Sequence, residues 1–148
     1  MECAEPEVNE ISATYDAESS KINITADVRH VRTCADCGLE LKSLDICIER
    51  EVNFTQADAY QKLSPEQQVR VLEAMKTLDG EQLDIECGDT HSSLKTSFTS
   101  RYSKNMIEVV VDYDLTVELE VETDGKMKLE LPGSLTDSNP ASAYEECC

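Results

Sequence analysis

The 148-residue sequence predicts a mainly β protein with one α-helix, assembled from antiparallel hairpins. Three observations carry that reading. Apolar side chains alternate with polar ones at Ile22, Ile24, Ala26 and Val28, and again from Ile107 through Val121, which is the period of a half-buried strand. Asp124-Gly125 lies between two stretches of the same parity, and both residues tolerate the positive φ of a two-residue hairpin turn. One segment only, 65–79, carries helix signals at both ends.

The first strand is expected from Ile22 to about Arg29. A second runs from Leu39 to Phe54 and changes phase inside: Leu39 and Leu41 are odd, whereas Leu44, Ile46, Ile48, Val52 and Phe54 are even. One extra residue near Lys42-Ser43 restores a single buried face, so a β-bulge is predicted there. Ser64-Pro65-Glu66-Gln67 then offers an N-cap, a proline at the first helical position and a Gln that closes a capping box. Val71, Leu72, Met75 and Leu78 share one helix face, and Asp79-Gly80 ends it. Short strands follow at 83–86 and 94–102. The long alternation 107–121 and its return at Met127, Leu129 and Leu131 complete the set. Residues 1–20 have no sustained period and read as a flexible acidic arm. Leu131-Pro132-Gly133 opens a breaker-rich tail expected to be flexible over 132–148. A single mostly-β domain, 21–131, lies between them.

Composition narrows the function. Thirty-one Asp and Glu against 13 Lys and Arg give a net charge of -18, which repels phosphate and anionic lipid headgroups. Direct nucleic-acid and membrane binding are therefore not expected. Aromatic residues make up 5% and Trp is absent, so the core is expected to rest on Val, Ile and Leu. The N-terminus is acidic and lacks an apolar stretch, so it does not read as a secretory signal. A cytoplasmic, reducing compartment, or a particle assembled in one, is the expected location.

Seven cysteines, an odd number, argue against a secreted disulfide framework. The informative segment is Cys34-Ala35-Asp36-Cys37-Gly38, expected at a hairpin tip, where two thiolates converge on one cation and Gly38 permits a tight turn. This five-residue turn resembles those of zinc-ribbon modules, which implies a zinc-ribbon-like arrangement with a helical insertion. Cys87-Gly88-Asp89-Thr90-His91 is read as a second tip, so that Cys34, Cys37, Cys87 and His91 form a closed Cys₃His site for one structural Zn²⁺ per chain. Cys47 lies about 30 Å along an extended strand and is a poorer ligand. A Cys34–Cys37 disulfide or redox pair, and unligated thiols, stay open beside zinc. His30, on the apolar parity, reads as a core or rim histidine, and Cys3, Cys147 and Cys148 as exposed thiols in the ends.

Opposite the apolar row of 107–121 stand Glu108, Asp112, Asp114, Glu118, Glu120 and Glu122. Such a row is first a solvated outer face that resists edge aggregation. It is also a candidate partner-binding surface, chiefly Asp112, Asp114, Glu118, Glu120 and Glu122. Same-face residues about 7 Å apart on a flat strand do not chelate one ion. No P-loop, GxGxxG, HExxH or GxSxG occurs, and the catalytic Glu of the zinc deaminase pattern, H-x-E then C-x-x-C, does not appear: the residue two before Cys34 is Arg32. A non-enzymatic assembly or adaptor protein acting through protein–protein contacts is the expectation, including self-assembly or a subunit of a larger particle such as a virion. The rivals are an acidic regulator that mimics nucleic acid on a basic partner site, thiol chemistry at Cys34 and Cys37, and acidity that is only an adaptation to high salt.

Overall fold

A computed structural model describes residues 6–34, 40–98, 101, 103–121 and 125–140. The chain is mainly β: two three-stranded antiparallel sheets, ordered β1-β2-β3 and β4-β5-β6, joined by a helical segment. The strands are β1 (Glu7–Asp16), β2 (Lys21–Cys34), β3 (Glu40–Asn53), β4 (Asp84–Phe98), β5 (Ser103–Val121) and β6 (Gly125–Pro140). Between β3 and β4 lie a short helix α1 (Asp58–Gln61) and the main helix α2 (Pro65–Met75), which tightens into a 3-10 turn over Lys76–Leu78.

The expected alternation is what buries the sheets. Ile22, Ile24, Ala26 and Val28 of β2 face inward, as do Ile107, Val109, Val111, Tyr113, Leu115, Val117, Leu119 and Val121 of β5, and they join one core cluster. At one end Phe54 closes this core. Its ring meets Tyr15 edge-on at 6.1 Å and Tyr60 at 5.4 Å, so three of the few aromatic residues form a plug beside α2. The helix starts as its sequence indicates: the Ser64 hydroxyl accepts from the Gln67 amide and the Gln67 side chain accepts from the Ser64 amide. Val71 and Met75 are its fully buried residues. Gly80 leaves the helix with φ +75° and donates its amide to the Tyr15 carbonyl, while Asp79 Oδ1 accepts from the Ala17 amide. The helical segment is thereby tied to the β1–β2 turn.

The sheets also meet along both flanks. Thr14 bridges Gln82 in antiparallel sense, the Leu83 amide donates to Ala13, and Thr90 Oγ1 donates to the Pro6 carbonyl. On the other flank the Arg50 guanidinium of β3 donates to the Ser134 carbonyl of β6.

Four boundary expectations are corrected. Residues 7–16, read as arm, are strand β1; its register slips between Val8 and Glu10, which broke the period in the sequence. Residues 132–140, read as tail, continue β6, with Leu135 fully buried opposite Val111. Pro132 stands on β6, an edge strand, which is where proline is found within a sheet. No bulge occurs at Lys42-Ser43: β2 and β3 pair without interruption from Lys21↔Asn53 to Cys34↔Glu40. Past Arg29 this hairpin has outrun β1. Finally, the strands expected at 83–86 and 94–102 are one strand, β4, with an irregularity between Cys87 and Thr90. Among the described residues no helix is long and apolar enough to cross a membrane.

Candidate functional site

Of the four expected zinc ligands, the described Cys34 lies on β2 and Cys87 and His91 on β4. Cys34 closes the β2–β3 ladder opposite Glu40, so the C-x-x-C turn does follow a hairpin strand. Cys37 lies outside the described residues. Cys87 does not sit at a second hairpin tip but inside β4, and it is disulfide-bonded, which leaves it no thiolate for a metal. His91 is four residues on, and without the irregularity it would share a face with Cys87. The extra residue at Gly88-Asp89 shifts the phase: Cys87 packs against the core, Thr90 is buried and His91 points to solvent.

Position along the strands separates them further. His30 Nε2 lies 2.9 Å from Ser92 Oγ, which sets β2 and β4 level at that point. β4 runs against β1, hence in the same direction as β2. Cys34 is four residues beyond His30 and Cys87 four ladder steps before Ser92, counted from Val109 to Tyr113 on β5, a separation of roughly 26 Å at about 3.3 Å per residue. Among the described residues no group of three or more His, Cys, Asp or Glu is placed to hold a metal ion. His30 is the half-buried rim histidine its parity implied. Cys3, Cys147 and Cys148 lie outside the described residues.

The acidic row stands on the outer face of β4-β5-β6. Asp114, Glu118 and Glu120 are exposed, Asp112 is half-buried with its Oδ1 accepting from Ser134 Oγ, and Glu122 lies outside the described residues. Register adds what one strand could not show. Thr116 is flanked by Asp84 and Glu130, and Asp114 by Glu86, so carboxylates from three strands share one surface. Lys128 and Lys126 stand opposite Glu118 and Glu120 at the hairpin end and leave the Asp84–Glu86–Asp114–Glu130 part to itself.

The outer face of β1-β2-β3 is different. Arg29 pairs with Asp45 at 3.2 Å and Lys21 with Glu51 at 3.2 Å, both on the surface. Cys47 is a free, exposed thiol between them. Partial desolvation, a hydrogen bond with Asp27 and the charges of Asp27 and Glu49 hold its pKa above the ordinary thiol value. That makes Cys47 a slow nucleophile.

A last feature was not anticipated. Leu94 and Phe98, in phase with the inward residues of β4, are 66% and 80% exposed. Parity alone marks such residues as core and does not reveal their exposure. Comparison of the chain with protein-family models, with curated proteins and with solved structures returned no match.

Proposed function

We propose that the chain is a non-catalytic assembly or adaptor protein, acting through protein–protein contacts at its outer sheet faces as a small subunit of a larger particle. The observation that supports this reading is the carboxylate surface shared by β4, β5 and β6, where Asp84, Glu86, Asp114 and Glu130 are aligned by strand register. A rigid sheet holds these charges at fixed spacing, which favours a basic protein surface and steers its approach. The contact weakens as salt screens it. A virion shell or tail is a particle of the fitting kind for so small a chain.

Zinc belongs to the proposal at the Cys34–Cys37 turn alone, since an oxidised Cys87 offers no ligand. Elemental analysis of the purified protein tests that part: one zinc per chain, lost in Cys34→Ser and Cys37→Ser, supports it, and metal-free protein removes it. The main reading is tested by size-exclusion chromatography with mass detection at low and physiological salt, together with affinity capture. A strict monomer that captures no partner contradicts it.

A further inference from the structure

The chain holds two Asn-x-Thr triplets, Asn23-Ile24-Thr25 and Asn53-Phe54-Thr55. Such a triplet is the acceptor for N-linked sugar, provided its middle residue is not proline. The fold treats the two differently. Asn23 lies on β2, the central strand of its sheet, between Thr14 of β1 and Glu51 of β3. Ile22 and Ile24 on either side are fully buried, so Asn23 and Thr25 share the outer face, about 7 Å apart along the strand. Asn23 is exposed, and among the described residues no hydrogen bond holds its carboxamide. Asn53 is half-buried where β3 ends. Its Oδ1 accepts from the Thr55 amide at 3.1 Å and from the Thr55 hydroxyl at 2.7 Å, which caps a 3-10 turn over Phe54–Gln56. That carboxamide is engaged, and it stands next to the fully buried Phe54. A second observation concerns the surroundings of the chain. Cys87 is disulfide-bonded, a state that persists in oxidising compartments and is rare in the reducing cytosol. Proteins that carry N-linked sugar are secreted or surface proteins and share that environment.

We infer that Asn23 is a site of N-linked glycosylation, its Nδ2 taking the sugar from a lipid diphosphate-linked oligosaccharide. One N–H bond of the carboxamide and the C1–O bond to the diphosphate break. The Nδ2–C1 bond forms, the lipid diphosphate leaves and the amide proton is released. The outer face of β1-β2-β3 is then the sugar-bearing one. The two sheets pack their inner rows into one core, so their outer faces point apart, and the carboxylate face of β4-β5-β6 is left uncovered. The modification does not depend on the assembly reading above. It adds which face of the molecule a partner reaches.

Trypsin places the two triplets on separate peptides, 22–29 and 51–62. Mass spectrometry of the full chain isolated from its native source tests the inference. Peptide 22–29 is expected to carry sugar, released as sugar ions on fragmentation, and 51–62 to appear bare. Made in the same cells, Asn23→Gln and Thr25→Val lose the sugar, whereas Thr25→Ser keeps it. The threonine pair separates N-linked transfer from chance glycation of the asparagine. Circular dichroism of each variant separates a lost sugar from a lost fold. A bare 22–29 peptide overturns the inference and leaves the assembly reading standing, and sugar on 51–62 alone overturns it equally. Partner capture by Asn23→Gln is expected to equal that of the wild-type chain, since the carboxylate face is untouched. Capture lost in that folded variant overturns the assignment of faces.

Discussion

Replacing Gly133 with alanine puts a methyl group where the Tyr113 ring already lies. The two residues are cross-strand partners on β5 and β6, and a Cβ built on Gly133 falls 2.6 Å from Tyr113 Cζ and 3.1 Å from Cε1. Carbon atoms at rest stand about 3.5–4.0 Å apart, so the ring must retreat by about 1 Å. It has little room, because Tyr113 is only 6% exposed and packs within the core cluster. Overpacking of this kind costs about 1–3 kcal/mol. Taking about 2 kcal/mol and a urea slope of about 2 kcal/mol per molar, the unfolding midpoint of Gly133→Ala falls by about 1 M. The same substitution made beside Tyr113→Ala, where the ring is gone, is expected to cost little, so the double-mutant cycle shows a coupling of about 1–2 kcal/mol. Equal midpoint shifts in the two backgrounds, or no shift in either, would refute the claim that the ring covers the glycine.

Three further outcomes follow from local chemistry. Ser64→Ala removes the hydroxyl half of the capping box at the start of α2 and is expected to cost about 1 kcal/mol, read as a lower denaturation midpoint; an unchanged midpoint contradicts the cap. Cys47 should alkylate more slowly near pH 8 than a free thiol, and Asp27→Asn should speed it by removing both a hydrogen bond and a charge that raise its pKa; equal rates in the two proteins would be the opposing result. Burial also raises the Tyr60 and Tyr113 phenols, with Arg50 opposing the shift at Tyr113. The unfolded chain ionises first as pH passes about 10, so the contribution of the neutral rings is complete below that value and is lost as pH climbs through the folded-state values. Denaturation midpoints measured on both sides of that pH should fall above it and flatten in Tyr60→Phe, Tyr113→Phe protein.

The fold was legible where a local rule met no interruption. Ile22 to Val28 and Ile107 to Val121 alternate without a break, and the box at Ser64–Gln67 forms from neighbouring residues; all three stand as their residues imply. Legibility failed where a single residue shifted the phase. The slip between Val8 and Glu10 hid β1, and the one between Cys87 and Thr90 split β4 in two and set Cys87 and His91 on opposite faces. A C-x₃-H spacing cannot reveal that, because a bulge has no unique residue signature. Pro132-Gly133 read as a stop since nothing local tells that the Tyr113 ring covers the glycine and that the proline stands on an edge. For the surface, parity found the row on β5, whereas its neighbours Asp84, Glu86 and Glu130 required the register of three strands.

The order of the strands bears on how the chain reaches this state. Every ladder closes inside its own half: β1, β2 and β3 pair as one meander, β4, β5 and β6 as another, and the helical segment lies between. Each meander can therefore zip up from neighbouring hairpins, and the costlier closure of the long loop joining Thr14 to Gln82 comes after both are made. A backbone cut at Gly80-Glu81 leaves every ladder among the described residues intact, so two separately produced fragments meeting at that nick would re-form the flanks and the shared core.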